Sequence, residues 1–135
     1  MNDEPLTVLV LDDDEAVRDS IADFLEDRGW RVLRAATAED ALDMLGEESL
    51  DGAVVDIRLP GMDGNAFIRA ACATSPGLAY VICTGSPEYR PPDEVTSLPQ
   101  VSPRTFTKPL HNLAALEAEL RRHIEVCGRK GSNDD

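Results

Sequence analysis

The sequence predicts an α/β fold, a doubly wound five-stranded parallel sheet, with 2-1-3-4-5 as the order assumed for its strands. Three observations predict the fold class. Apolar runs of strand length alternate with segments of helical period about five times along the chain. Most of those runs are continuous, as strands covered on both faces must be. The chemically distinctive residues Asp12, Asp13, Asp56, Thr84 and Lys108 all fall where the runs end, at the edge where such sheets bind ligands.

Residues 6–11 (LTVLVL) read as the first strand. Val17, Ile21, Phe24, Leu25 and Arg28 then share one helical face, and Gly29 stands at a C-cap position. Residues 31–35 (RVLRA) form a short second strand, nearer an edge because it carries two arginines. Thr37 reads as the N-cap of a second helix, with Asp40 three residues on and Ala38, Ala41, Leu42 and Leu45 as its stripe. Residues 53–57 (AVVDI) are the third strand, apolar except for Asp56. The turn LPGMDG follows, and Asp63 or Gly64 opens a third helix carrying Phe67, Ile68 and Ala71. Residues 79–83 (AYVIC) are the fourth strand, ending at Thr84-Gly85.

The pattern then fails. Pro87, Pro91, Pro92, Pro99 and Pro103 crowd one stretch, so helix four is short or disrupted, a turn or two at most within 93–98. Residues 105–107 make a short fifth strand. Leu113, Leu116, Leu120 and Ile124 give a clear amphipathic helix.

At 135 residues the chain suits one domain, expected at 6–127 between an N-terminal arm (1–5) and a polar C-terminal tail (128–135). The net charge of −13 argues against direct nucleic-acid binding, which needs a basic footprint, and against anionic membrane surfaces. No apolar run approaches the roughly 18 residues of a membrane span. The opening MNDEPLTV has no basic region of the signal-peptide kind, so a soluble cytoplasmic protein is expected. Cys72, Cys83 and Cys127 are scattered without ligand spacing and read as reduced thiols.

In the order 2-1-3-4-5, strands one and three are neighbours, so Asp12, Asp13 and Asp56 converge in one crevice. At ~4 Å and an effective dielectric near 20, each like-charge pair costs roughly 4 kcal/mol. Such a cluster needs a cation, and carboxylate oxygens with room for water suit Mg²⁺. Lys108 adds a permanent positive charge and Thr84 a hydroxyl. Together these groups would orient and neutralise a transferring phosphoryl group, with a carboxylate as nucleophile forming an aspartyl phosphate.

The segments VLVLDDDEAVR, VVDIRLPGMDG, VICTGS and FTKPL, in this order and spacing, resemble the receiver domain of two-component response regulators over residues 5–127. The resemblance implies a flavodoxin-like fold and a signalling receiver rather than an enzyme with a separate substrate. Asp56 resembles the phosphoacceptor. Asp12 and Asp13 resemble the Mg²⁺-holding pair, with Asp13 the direct ligand, and the Arg58 backbone carbonyl resembles a further metal ligand. Thr84 resembles the switch hydroxyl and Lys108 the phosphoryl-contacting lysine, whose bond to Pro109 is commonly cis in the family. The implied partners are a histidine kinase or histidine phosphotransfer protein and an unknown downstream protein, with output through binding in trans.

Plainer roles suit other residues. Asp14 and Glu15 complement a helix dipole, and Asp63 is an N-cap. Trp30 packs at the exit of helix one, His111 and His123 are surface residues, and the remaining acids form a solvated surface. The chain also departs from the family. Thr105 stands where an aromatic is usual, and Phe106, one residue on, should face the opposite way. The prolines alter helix four, and Arg58 lies near the mouth of the site. Thr105, Phe106 and Arg58 are therefore candidate modulators. Two alternatives stand beside the receiver reading. One is a phosphorylation-independent pseudo-receiver that only binds. The other is a haloacid-dehalogenase-type phosphatase with Asp12 as nucleophile and Asp14 as acid.

Overall fold

Strand β1 (Thr7–Leu11) is buried at every position, as a strand covered by helices on both sides must be. Around it, a computed structural model describes residues 5–59, 61–86, 88 and 90–132, with side chains as far as 128. Residues 1–4 of the expected arm, 133–135 of the expected tail, and Pro60 and Pro87 lie outside the described residues. The other elements are α1 (Glu15–Asp27), β2 (Arg31–Ala35), α2 (Ala38–Glu47), β3 (Gly52–Asp56), α3 (Gly64–Thr74), β4 (Ala79–Thr84), α4 (Asp93–Thr96), β5 (Phe106–Thr107) and α5 (Leu113–Ser132). The five strands form one parallel sheet in the order β2-β1-β3-β4-β5, as the sequence predicts.

Alternation along the strands sorts the core into two layers. Leu9, Leu11, Val55, Tyr80 and Ile82 pack with Ala38, Ala41, Phe67, Ile68, Ala71 and Val95 on the α2–α3–α4 side. Val8, Val10, Val54, Val81 and Phe106 pack with Ile21, Leu25, Leu116 and Leu120 on the α1–α5 side. At Gly52, an added Cβ would come within 2.9 Å of the Leu120 and Ile124 side chains, so the glycine lets α5 lie close on β3.

Side chains cap helix starts, at Thr37 and Asp63 as their spacing predicts and at Asp14 and Asn112 as well. Asp14 accepts from the Ala16 and Val17 amides, Thr37 from Asp40, Asp63 from Ala66, and Asn112 from Ala115. Gly29 ends α1 at φ +95°, a conformation that disfavours any side chain. The edge strand β2 holds α1 through Arg34, which pairs with Asp19, Asp23 and Glu26 at 2.8–3.1 Å.

The fifth strand is shorter than predicted and broken. Tyr80 bridges Val101, and three residues later along β4, Cys83 faces Phe106, five residues on. The two extra residues bulge out of the ladder around Pro103, which has no amide hydrogen to offer it. Thr105 is thus outside the strand. Helix α4 has only four residues, as the prolines require.

Three readings need correction. His123 is buried, not a surface residue, with Nε2 3.0 Å from the Pro99 carbonyl. It lies on the same stripe of α5 as Leu116 and Leu120, and the proline-rich stretch supplies a carbonyl in need of a donor. Glu117 and Glu119 are likewise buried rather than solvated. Glu117 accepts the Trp30 indole N–H at 2.9 Å and pairs with Arg28 and Arg121. Burial alone would raise its pKa, but Trp30, Arg121 and Arg28 outweigh it and hold the carboxyl below its ordinary value. Glu119 accepts from the Ser102 hydroxyl and pairs with Arg122, tying α5 to the bulge.

Candidate functional site

Register brings the strand ends together. Leu11 faces Val55 and Asp56 faces Cys83, so Asp12, one step past Leu11, lies beside Asp56. Asp12 and Asp56 have the same parity as Val10 and Val54, and Lys108 the same as Phe106, so all three turn towards one side of the sheet's edge. Asp12 and Asp56 are buried, and Asp13 is exposed at the rim. One oxygen from each of these three acids lies within 4.8 Å of the others.

Lys108 closes the cluster. Its Nζ lies 2.7 Å from Asp12 Oδ2 and 3.3 Å from Asp56 Oδ1. Its backbone amide donates to the Thr84 carbonyl at 2.8 Å, and its bond to Pro109 is cis. Burial raises the pKa of Asp56 to about 6, the Asp12 carboxylate adds to this, and Lys108 and the Arg58 amide oppose it. Burial works against the Lys108 ammonium, yet the bonds to Asp12 and Asp56 lift its pKa above the ordinary value. Cys83 sits behind Asp56 with its thiol pushed up to about 12 by burial, Lys108 pulling the other way. It stays a protonated wall, not a nucleophile.

Two backbone features place Asp56. The Arg58 amide donates to its Oδ1 at 3.4 Å, and the Arg58 side chain is exposed. At Gly64, the first residue of α3, an added Cβ would collide with the Asp56 carbonyl oxygen and lie 2.8 Å from Ile57 Cα. Only glycine lets α3 start this close to the end of β3.

Thr84 is buried at the end of β4, its hydroxyl accepting from the Ser86 amide at 3.2 Å. It faces the α4 side, where it lines a cavity of about 520 Å³ with Ile82, Thr96, Val101, Thr105 and Thr107. Thr105 and Phe106 therefore turn to opposite sides. Phe106 packs among Leu116, Leu120 and Val81 with the Arg104 guanidinium over its ring.

Arg18, within the segment VLVLDDDEAVR, has a role that no side-chain pattern shows. Its Nη1 donates to the Asp12 carbonyl at 2.9 Å, so the α1 helix holds the acidic turn directly. The role of Asp14 is also more specific than a dipole complement: it is the N-cap of α1.

The geometry has counterparts among known proteins. The model of the response regulator receiver domain family matches residues 8–118. The chain belongs to this family. Receiver domains are signalling modules rather than enzymes with a separate substrate, and this one has the five-stranded fold of its relatives. The response regulator MprA of Mycobacterium avium is 31% identical over 130 residues, 96% of this chain and 54% of MprA. The regulatory protein VanR of Enterococcus faecium is 27% identical over 131 residues, 95% of this chain and 55% of VanR. The chain thus spans about half the length of these curated relatives. A CheY-like receiver domain protein of Methanospirillum hungatei superposes with a TM-score of 0.81 at 28% identity, covering 93% of this chain and 98% of that one. The response regulator TrrA of Thermotoga maritima, solved in complex with Mg²⁺ and BeF, shares the fold with a TM-score of 0.76 at 20% identity, over 87% of this chain and 98% of TrrA. No helix among the described residues is long and apolar enough to cross a membrane.

Proposed function

We propose that this receiver accepts a phosphoryl group on Asp56 from a phosphohistidine and signals through partner binding. The carrying observation is the contrast between the two buried acids. Asp12 is engaged at both oxygens, Oδ1 by the Asp14 amide and Oδ2 by Lys108. Among the described residues, the Arg58 amide and Lys108 both meet Asp56 at Oδ1. A carboxylate oxygen of Asp56 attacks phosphorus, the P–N bond to the donor imidazole breaks, and the imidazole leaves with its electron pair. Lys108, already between Asp12 and Asp56, moves its charge onto the incoming phosphoryl oxygens.

The acid cluster fits Mg²⁺: its donors are all hard oxygens, two buried and one at the solvent rim. Asp12, Asp13, Asp56 and the Arg58 carbonyl would hold the ion, which when bound offsets charge on the phosphoryl oxygens. Beside Lys108 an apolar groove of about 250 Å³, lined by Ala16, Val17, Ile21, Pro109, Leu110 and Leu113, supports docking of a histidine kinase or phosphotransfer protein. The switch hydroxyl of Thr84 and the small Thr105 border the opposite cavity, through which phosphorylation reaches the α4 side and a downstream protein.

Incubation with a small acyl phosphate and Mg²⁺, followed by intact mass, tests the reading. One phosphoryl adduct is expected, absent in Asp56→Asn and absent with a chelator. An adduct that persists in Asp56→Asn and maps to Asp12 would favour phosphatase-type chemistry, and no adduct at all would favour a binding-only module. Arg58 gives a second prediction. An Arg58 guanidinium that reaches the phosphoryl group would shield it from water, so Arg58→Ala should shorten the aspartyl phosphate half-life. The expected change is roughly fivefold, equivalent to one hydrogen bond of about 1 kcal/mol. Identical decay curves would remove the idea.

A further inference from the structure

The turn that carries Asp13 is held at both of its peptide groups. Its first peptide is fixed through the Asp12 carbonyl, which accepts from Arg18 Nη1 at 2.9 Å. Its second is fixed through the Asp14 amide, which donates to Asp12 Oδ1 at 2.9 Å. The Asp12 amide donates in turn to the Ala35 carbonyl of β2 at 3.1 Å, and Asp14 caps the helix from which Arg18 reaches back. The Asp13 carboxylate is exposed, so its place relative to Asp12 and Asp56 comes from this backbone.

We propose that Arg18 is a positioning residue that holds the Asp12–Asp13 turn rigid and thereby makes the site prefer Mg²⁺ to Ca²⁺. The inference rests on the reading of the acid cluster as a metal site. Mg²⁺ demands short bonds in near-ideal octahedral geometry, whereas Ca²⁺ accepts longer bonds and irregular shells. A turn clamped at both peptides resists the outward shift that the larger ion requires, and a loosened turn yields to it. Arg18 also places a positive charge near the site, which disfavours any cation. The two effects have opposite signs, so removing the side chain separates them.

Calorimetric titration of the full chain with Mg²⁺ and, separately, Ca²⁺ provides the test, with thermal melts to confirm folding. Arg18→Ala should weaken Mg²⁺ binding by about tenfold, the usual scale for a group that orients metal ligands. Ca²⁺ binding should weaken clearly less, so the preference narrows. Arg18→Lys, which keeps a donor on a long stem, should recover part of the Mg²⁺ affinity and covers the case in which the alanine variant does not fold. Unchanged or tighter Mg²⁺ binding in a folded variant would overturn the proposal, as would an equal loss for both ions. If the wild-type chain bound neither ion, the metal-site reading itself would fall, a result distinct from the other two.

Discussion

Freed of divalent ions near neutral pH, Asp56→Asn should be more stable than the wild-type chain, although it removes the residue at the centre of the site. The folded pKa of Asp56 is about 6, against an ordinary value of 3.8. Within that window the folded chain keeps a proton that the unfolded chain has lost, so stability falls as pH rises and then levels off. At about 1.4 kcal/mol per pH unit, and allowing for solvent screening at the pocket mouth, the ionised acid costs about 2 kcal/mol. Below about pH 4 both states are protonated and the advantage of the variant disappears. Urea unfolding followed by the fluorescence of Trp30, the single buried tryptophan, measures the difference. Mg²⁺ should reverse the order, since an ion at a hundred times its Kd adds about 2.7 kcal/mol to the chain that binds it. A wild-type chain that is the more stable of the two without metal would contradict the account of Asp56.

Gly64→Ala is expected to do the opposite of what alanine normally does in a helix. The substitution usually gains up to about 1 kcal/mol. Here the new Cβ would meet the Asp56 carbonyl, Ile57 Cα and the Val55 side chain, the first two being backbone that cannot rotate away. A loss of about 2–3 kcal/mol follows from overpacking of this kind. Phosphorylation by a small donor should slow as well, because relief of the collision displaces the end of β3. Gly46→Ala is the control. Gly46 lies in α2 with nothing within 4 Å of an added Cβ, so that variant should be neutral or slightly stabilised. Equal behaviour of the two variants in urea would show that the close approach at Gly64 is not limiting.

The parts of this molecule legible in its sequence are those whose physics is local. A buried parallel strand shows as an unbroken apolar run, so Asp56, the polar residue in AVVDI, stood out as a strand end. Thr37 and Asp63 act on amides three residues away, and their roles could be read from spacing. The residues that escaped have partners far along the chain. His123 answers Pro99, Glu117 answers Trp30, and Glu119 answers Ser102. On a helical wheel each of these is a polar residue near the apolar boundary, and only the tertiary fold decides which way it turns. Arg18 escaped for a different reason: its partner is a backbone carbonyl, which no side-chain pattern reveals. The length of β5 depended on a ladder that resumes with two more residues on its side than on β4, and side-chain alternation carries no record of such a slip.

That slip also divides the cost of motion. β1, β2, β3 and the body of β4 are joined by continuous ladders of four or five residue pairs. Residues 90–105 are held through Val95, buried in the α2–α3–α4 layer, and at their lower end, where Val101 and Ser102 meet Tyr80, Ser102 meets Glu119 and Pro99 meets His123. Above that anchor lie prolines, a single turn of helix and the cavity beside Thr84. Opening of residues 90–100 would leave every central strand paired, so it draws on a local balance, which includes the buried Val95, rather than on the stability of the whole fold. A phosphoryl group at Asp56, as proposed, would add its charge against that local balance rather than against the stability of the whole fold.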